Sequence, residues 1–139
     1  MKPFFLACCV LLVVGVALGN DRDEIMELIK EHVDHCAEEK QMSPVDMDAF
    51  FKTDLEGEER TKYGCLHACI LGRMELMKDN RLNVETFSNS LEKLFTKQPE
   101  KVAPQLEAMT KCAEEVKEVT EECDLGYEFS RCLTMKHNV

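Results

Sequence analysis

The chain has no tryptophan, six glycines and four prolines among its 139 residues. Without tryptophan, no large indole is available to plug the middle of a fold. So little glycine leaves no Gly-rich loop of the kind that cradles calcium or phosphate. No low-complexity linker, repeat or alternating apolar–polar strand pattern is visible either. Cations are also scarce: 17 Lys and Arg stand against 27 Asp and Glu, a net charge of −10. Phosphate backbones and anionic lipid surfaces repel such a chain, which argues against nucleic acid and against stable membrane insertion. The acids are scattered through helical patterns rather than massed, as solvated helix faces are.

What is present begins with an export signal. Lys2 precedes an uncharged apolar run from Phe4 to Leu18, with small residues at Ala17 and Gly19. That is the layout of a secretory signal peptide, expected over residues 1–19. The run is short for a membrane span, and Asp21-Arg22-Asp23-Glu24 behind it is acidic rather than a positive anchor. A retained anchor helix is the weaker alternative. Cleavage after Gly19 leaves 120 residues, 20–139, with 16 basic against 27 acidic side chains. One domain is expected at that size.

Cys8 and Cys9 depart with the leader, and six cysteines remain: Cys36, Cys65, Cys69, Cys112, Cys123 and Cys132. An even count in a small exported chain reads as three disulfides, not as metal ligands or a redox pair. Fifteen pairings are possible, and spacing alone does not choose among them.

The mature chain reads as helical almost throughout. Ile25, Leu28, Ile29, His32 and Cys36 form a first stripe. Ser43-Pro44-Val45-Asp46 reads as a helix start, with serine as N-cap and proline in the first turn. A short second helix then carries Phe50, Phe51 and Leu55. A third is expected from about Arg60 to Met77, and Asp79-Asn80-Arg81 turns the chain. Val84, Phe87, Leu91 and Leu94 stripe a fourth. Gln98-Pro99 opens a fifth, with Val102, Leu106, Met109, Cys112, Val116 and Val119 on one side. Asp124 is expected to cap a sixth, with Leu125, Phe129, Cys132 and Leu133 inward.

Cys65 and Cys69 lie four apart on one face of the third helix, which is poor geometry for bonding each other. They serve better as two anchors for different neighbours. Each bridge stabilises by about 3–4 kcal/mol on the chain-entropy account. Together they can offset an internal void, which costs about 24 cal/mol per Å³ when made by core truncation.

The pattern Cys-x28-Cys-x3-Cys-x42-Cys-x10-Cys-x8-Cys, behind a signal peptide and on six helices, resembles the six-cysteine insect odorant-binding proteins. The x3 and x8 gaps are that family's most constant spacings. The stretch Cys123-Asp-Leu-Gly-Tyr127-Glu-Phe129-Ser-Arg-Cys132 is similar to its last helix. The resemblance spans the whole mature chain. It implies the pairs Cys36–Cys69, Cys65–Cys123 and Cys112–Cys132, and a compact six-helix, all-α domain around a central apolar cavity. The chain does not resemble the subgroup with a long tail, since seven residues follow Cys132. In relatives with short tails the tail is expected to fold back across the pocket mouth, which would put His137 and the terminal carboxylate at a pH-sensitive gate.

On that resemblance, the lining comes from the fourth to sixth helices and the tail. Met74, Val84, Phe87, Leu91, Leu106, Met109, Phe129 and Leu133 match by position. Frequent methionine suits an adaptable apolar site. For any one of these residues, however, a place in a solid core shows the same periodicity. His67, two residues from both Cys65 and Cys69, projects away from the disulfide face. Solvent is its better reading, and a polar contact to ligand in the pocket the other. His32 and His35 beside Cys36 do not close a metal site.

Catalysis finds no support. The secreted helical phospholipases A2 need a Gly-rich calcium loop and a His-Asp pair, and Cys65-Leu-His67-Ala-Cys69 has no aspartate after its histidine. Asp79 to Glu85 begins like a calcium loop but lacks the glycine and glutamate it requires. The chain therefore reads as a non-enzyme with no cofactor. It is expected to be a secreted carrier of small hydrophobic ligands (odorants, pheromones or lipid-like volatiles) in sensillum lymph or another body fluid. A membrane receptor is a further candidate partner, and the protein is expected as a monomer or weak homodimer. The alternative is a secreted, disulfide-stapled helical signalling protein, or a non-olfactory lipid or hormone carrier.

Overall fold

A computed structural model describes residues 25–137, with the side chain of His137 excepted. The expected signal peptide, Asn138 and Val139 lie outside the described residues. The chain divides into two units, residues 1–31 and 32–139. Of the first, residues 25–31 are described, as the opening of helix α1, which runs over 25–39. The rest of the fold belongs to the second unit.

That unit is all-α. After α1 come α2 (Met47–Phe50), α3 (Gly57–Arg73), α4 (Val84–Leu94), α5 (Val102–Glu115, led by a 3₁₀ turn at Pro99–Lys101) and α6 (Glu122–His137). Two-residue strands β1 (Met77–Lys78) and β2 (Arg81–Leu82) pair antiparallel between α3 and α4. Asp79 and Asn80 join them with φ of 54° and 62°. Two positive values in a two-residue loop define a type I′ turn, which aspartate and asparagine tolerate better than most side chains. The turn is where the sequence places it; the strands beside it are too short to leave an alternating signal.

Several helix ends differ from the sequence reading, each for a local reason. The second helix does not start at Ser43-Pro44. Its N-cap is Asp46, whose carboxylate accepts from the backbone N–H groups of Asp48 and Ala49 at 3.0 and 3.4 Å. Leu55 lies beyond its end, buried in the loop. α3 stops at Arg73, short of Met77, because Glu75 takes a left-handed conformation, φ 62°. The Leu76 N–H then reaches back to the Leu71 carbonyl at 2.9 Å, and the Glu75 N–H to that of Gly72 at 3.1 Å. This pair of bonds is a Schellman ending without the usual glycine. α1 ends the same way at Gln41, φ 58°, with Met42 bonded to Ala37. α5 ends at Glu115, leaving Val116 as its cap and Val119 outside it. α6 is capped by Glu121, whose two carboxylate oxygens accept from the N–H groups of Cys123 and Asp124. Asp124 has a different task.

Among the described elements from α2 to α6, α3 and α6 form the most extensive contact. They approach closely because both carry glycine at the crossing. A Cβ on Gly126 would lie 2.4 Å from the Gly64 carbonyl oxygen, and one on Gly64 would lie 2.3 Å from that of Cys123. Arg60 of α3 clasps the same crossing, donating to Asp124 at 2.6 Å and Glu128 at 2.9 Å while its guanidinium lies 4.7 Å from the Tyr127 ring centre. Both carboxylates, Asp124 first, raise the Arg60 pKa further above its ordinary value.

The cysteines are joined as Cys36–Cys69, Cys65–Cys123 and Cys112–Cys132. These are the three pairs that the resemblance implies. Cys65 and Cys69 each hold a different partner, so α3 is tied to α1 on one side and to α6 on the other, and α6 in turn to α5.

Candidate functional site

The withdrawn apolar side chains of α4, α5 and α6 meet around two phenylalanines. Phe87 of α4 and Phe129 of α6 are both fully buried, and their ring centres lie 6.0 Å apart at a tilt of 36°. Such an offset pair contributes about 0.5–1.5 kcal/mol beyond the area it buries. Leu91, one turn along α4 from Phe87, and Met109 of α5 are also buried. α4 packs on α5, and α5 on α6.

The other expected lining residues stand further out. Leu106 and Leu133 are half-buried. So is Met74, which caps the C-terminus of α3. Its carbonyl accepts from the Ser90 hydroxyl of α4 at 2.9 Å, so this residue holds α4 through its main chain. Val84 is not brought into the buried group. It is the first residue of α4 and 45 % exposed. Leu133 to His137 belong to α6, so these five residues do not form a strap folded back from Cys132.

His67 corrects the sequence reading. It does project away from the disulfide face, but what it meets is α2 and not solvent. It is buried, its Nε2 lies 3.1 Å from the Phe50 carbonyl oxygen, and its ring centre is 4.3 Å from that of Phe50. Burial lowers its pKa to about 4, opposed by the hydrogen bond to Phe50. The ring is therefore neutral at pH 7, and its Nε2 proton is committed to the Phe50 carbonyl. His32 accepts from Arg73 at 3.3 Å and His35 faces Glu39 at 3.8 Å, while Cys36 is in a disulfide, so no metal set forms there.

Three residues that the sequence reading left aside hold the edges of the site. Phe95, the cap of α4, is buried where Leu94 was expected and is only half-buried. The spacing Phe87, Leu91, Phe95 in steps of four carried that signal. Tyr127 is buried and its hydroxyl accepts the Leu55 N–H at 2.9 Å. Arg131 donates to the Thr53 carbonyl at 2.8 Å. Together they dock the α2–α3 loop on α6, and nothing in the local sequence announces either bond.

A separate groove of about 380 Å³ lies open on the surface between α5 and α6, lined by Pro104, Glu107, Ala108, Lys111 and Lys136. Its lining is half polar and it takes in none of the buried residues above. Among the described residues, no helix is long and apolar enough to cross a membrane.

Three disulfides tying helices around a buried aromatic and aliphatic cluster, with the buried His67 and Tyr127 bonded to the main chain, define a small stapled all-helical domain. The model of the PBP/GOBP family matches residues 19–136, and the chain belongs to that family. Its members are carriers of small hydrophobic ligands, a binding family and not an enzymatic one. Neither the curated proteins nor the solved structures offer a match.

Proposed function

We propose that the protein is a secreted carrier whose mature domain, residues 20–139, takes up one small hydrophobic molecule (an odorant, pheromone or lipid-like volatile) and conveys it through an aqueous body fluid such as lymph. The observation that carries this reading is the buried Phe87–Phe129 pair at the meeting of α4 and α6, in a chain of a family that binds such ligands. Phe87, Leu91, Met109 and Phe129 form the floor of the pocket, with Leu106, Leu133 and Met74 nearer its rim. Val84 sits at the mouth. His67 acts from behind by holding α2 and does not touch ligand.

Burying apolar ligand surface returns about 25 cal/mol per Å², offset by immobilisation, so affinity of about 1 µM, or −8 kcal/mol, is expected. The test is uptake of N-phenyl-1-naphthylamine. The mature protein is expected to take it up saturably at one site per chain and to release it to long-chain alcohols and esters. Phe87→Gln and Phe129→Gln, each checked for retained helicity by circular dichroism, are expected to lose uptake. Folded variants that bind the fluorophore as well as the parent would move the pocket elsewhere. No uptake by the parent would leave the signalling reading in its place.

A further inference from the structure

Glu115 of α5 is placed against a sulfur that offers it nothing in the oxidised protein. Its Oε2 lies 2.8 Å from the Sγ of Cys132, and that sulfur is bonded to Cys112 and carries no proton. The carboxylate accepts no bond there and faces the sulfur's lone pairs. Its other oxygen, Oε1, lies 3.5 Å from the Lys136 ammonium, which holds it from the far side. Glu39, by comparison, stands 3.9 Å from Cys69. A thiol at Cys132 would reverse this, because an S–H can donate to the carboxylate and a charged acceptor strengthens the bond. Two further features single out the same bridge. Cys112 and Cys132 are 20 residues apart, against 33 for Cys36–Cys69 and 58 for Cys65–Cys123. On the chain-entropy account, opening the smallest loop costs the fold least. Cys132 is also half-buried, whereas Cys112 is fully buried. The open groove between α5 and α6 is lined by Ala108, one turn before Cys112, and by Lys136, one turn after Cys132.

Once opened, this corner holds a donor set. The Sγ atoms of Cys112 and Cys132 and a carboxylate oxygen of Glu115 all lie within 4.8 Å of one another. Two thiolates and a carboxylate suit a borderline-soft divalent cation, at about 2.3 Å for sulfur and about 2.1 Å for oxygen, with a water in the fourth position. The sulfurs need only part to non-bonded distance, which Cα atoms 5.7 Å apart permit by side-chain rotation. Lys136, behind Glu115, offsets the one negative charge by which three anionic ligands exceed the metal. We propose that reduction of Cys112–Cys132 by a small dithiol converts this corner into a zinc(II)-class metal site of Cys112, Cys132 and Glu115. A thiolate of the reductant attacks the half-buried Cys132 sulfur and expels Cys112, which takes up a proton. The reductant's second thiol then displaces Cys132, which also takes up a proton. The reductant leaves as its cyclic disulfide, having given two electrons to the bridge. Metal entry releases both thiol protons to solvent. The site would form whatever the protein carries.

The experiment treats the mature protein with dithiothreitol in steps under anaerobic conditions, desalts it and divides it. One part is alkylated with iodoacetamide and mapped by peptide mass, and the other is titrated with Co²⁺ and then Zn²⁺. Cys112 and Cys132 are expected to be labelled first, with the other four cysteines still paired. That two-thiol species is expected to take up one Co²⁺ per chain, with sulfur-to-cobalt charge-transfer absorption, and to release it to Zn²⁺. The oxidised parent is expected to show no such absorption. Glu115→Ala is expected to need about threefold more reductant, the effect of losing one hydrogen bond to the thiol. It is also expected to bind Co²⁺ at least about tenfold more weakly, since the metal loses one of three protein ligands. Glu114→Ala, its exposed neighbour on the same helix, is expected to match the parent in both. Opening of another bridge first, or a two-thiol parent that takes up no cobalt, overturns the proposal. So does a Glu115→Ala protein that matches the parent in either measurement.

Discussion

His67 carries the sharpest consequence at the scale of single residues. Its pKa is lowered to about 4 in the folded protein by burial, against about 6.5 for an exposed histidine. The unfolded chain therefore binds the proton first as pH falls. The stability this group contributes is fully present above pH 6.5 and is lost progressively down to about pH 4. The slope is about 1.4 kcal/mol per pH unit and the total about 3 kcal/mol. In His67→Gln the amide can still donate to Phe50 but cannot titrate. Urea unfolding of that variant is expected to match the parent within about 1 kcal/mol at pH 7 and to lose the acid slope between pH 6.5 and pH 4.5. An unchanged slope would assign acid sensitivity to other groups. The side on which His67 points was legible, because two residues along a helix turn a side chain to the opposite face. What covers it was not, because four residues of α2 held by one aspartate leave almost no periodicity to read.

Elements were legible where a stripe of several turns repeats, and illegible where a single backbone conformation decides. Phe87 and Leu91 announced α4, and Met109 and Cys112 announced α5, because burial of one helix face demands that spacing. The ends of α1 and α3 depend instead on Gln41 and Glu75 entering the left-handed region, which those residues enter at a cost and without a sequence mark. The glycines of α3 and α6 show how position outranks residue type. Gly64 and Gly126 face another backbone at contact distance, whereas a Cβ on Gly72 would find nothing nearer than the Met77 carbonyl oxygen at 4.0 Å. Gly126→Ala is therefore expected to cost about 3 kcal/mol or to prevent folding, since the α3 backbone cannot yield as a side-chain tip would. Gly72→Ala is expected to raise stability by up to about 1 kcal/mol, through the better helix propensity of alanine. Thermal unfolding of the two variants beside the parent checks both signs. Equal effects would mean that the crossing of α3 and α6 is looser than its glycines require.

At the scale of the whole molecule, the disulfides divide the helices into held and free. They run as a series, from α1 to α3 through Cys36–Cys69, from α3 to α6 through Cys65–Cys123, and from α6 to α5 through Cys112–Cys132. α4 contains no cysteine. It is kept in place by packing on α5, by Phe87 against Phe129, and by the Thr86 and Ser90 hydroxyls on the carbonyls of Glu75 and Met74. Each covalent tie contributes about 3–4 kcal/mol on the chain-entropy account, while a neutral hydrogen bond contributes about 1. Local opening draws on the elements with the fewest such ties. Amide hydrogen exchange is thus expected to be faster in α4 than in α3 and α6, although α4 carries half of the aromatic pair. If α4 is also the movable wall of the pocket, a neutral ligand such as dodecan-1-ol at 100 times its Kd is expected to raise protection by about 2.7 kcal/mol in α4 if the opened helix cannot bind it. Sub-global exchange in α3 is expected to change less, because its ties to α1 and α6 do not depend on ligand. Equal protection of α4 and α3 in the free protein would show that packing alone holds α4 as firmly as the bridges hold the rest. A ligand that protects α3 and leaves α4 unchanged would place the moving wall on the α2 side, where Tyr127, His67 and Arg131 hold the Leu55 amide and the Phe50 and Thr53 carbonyls.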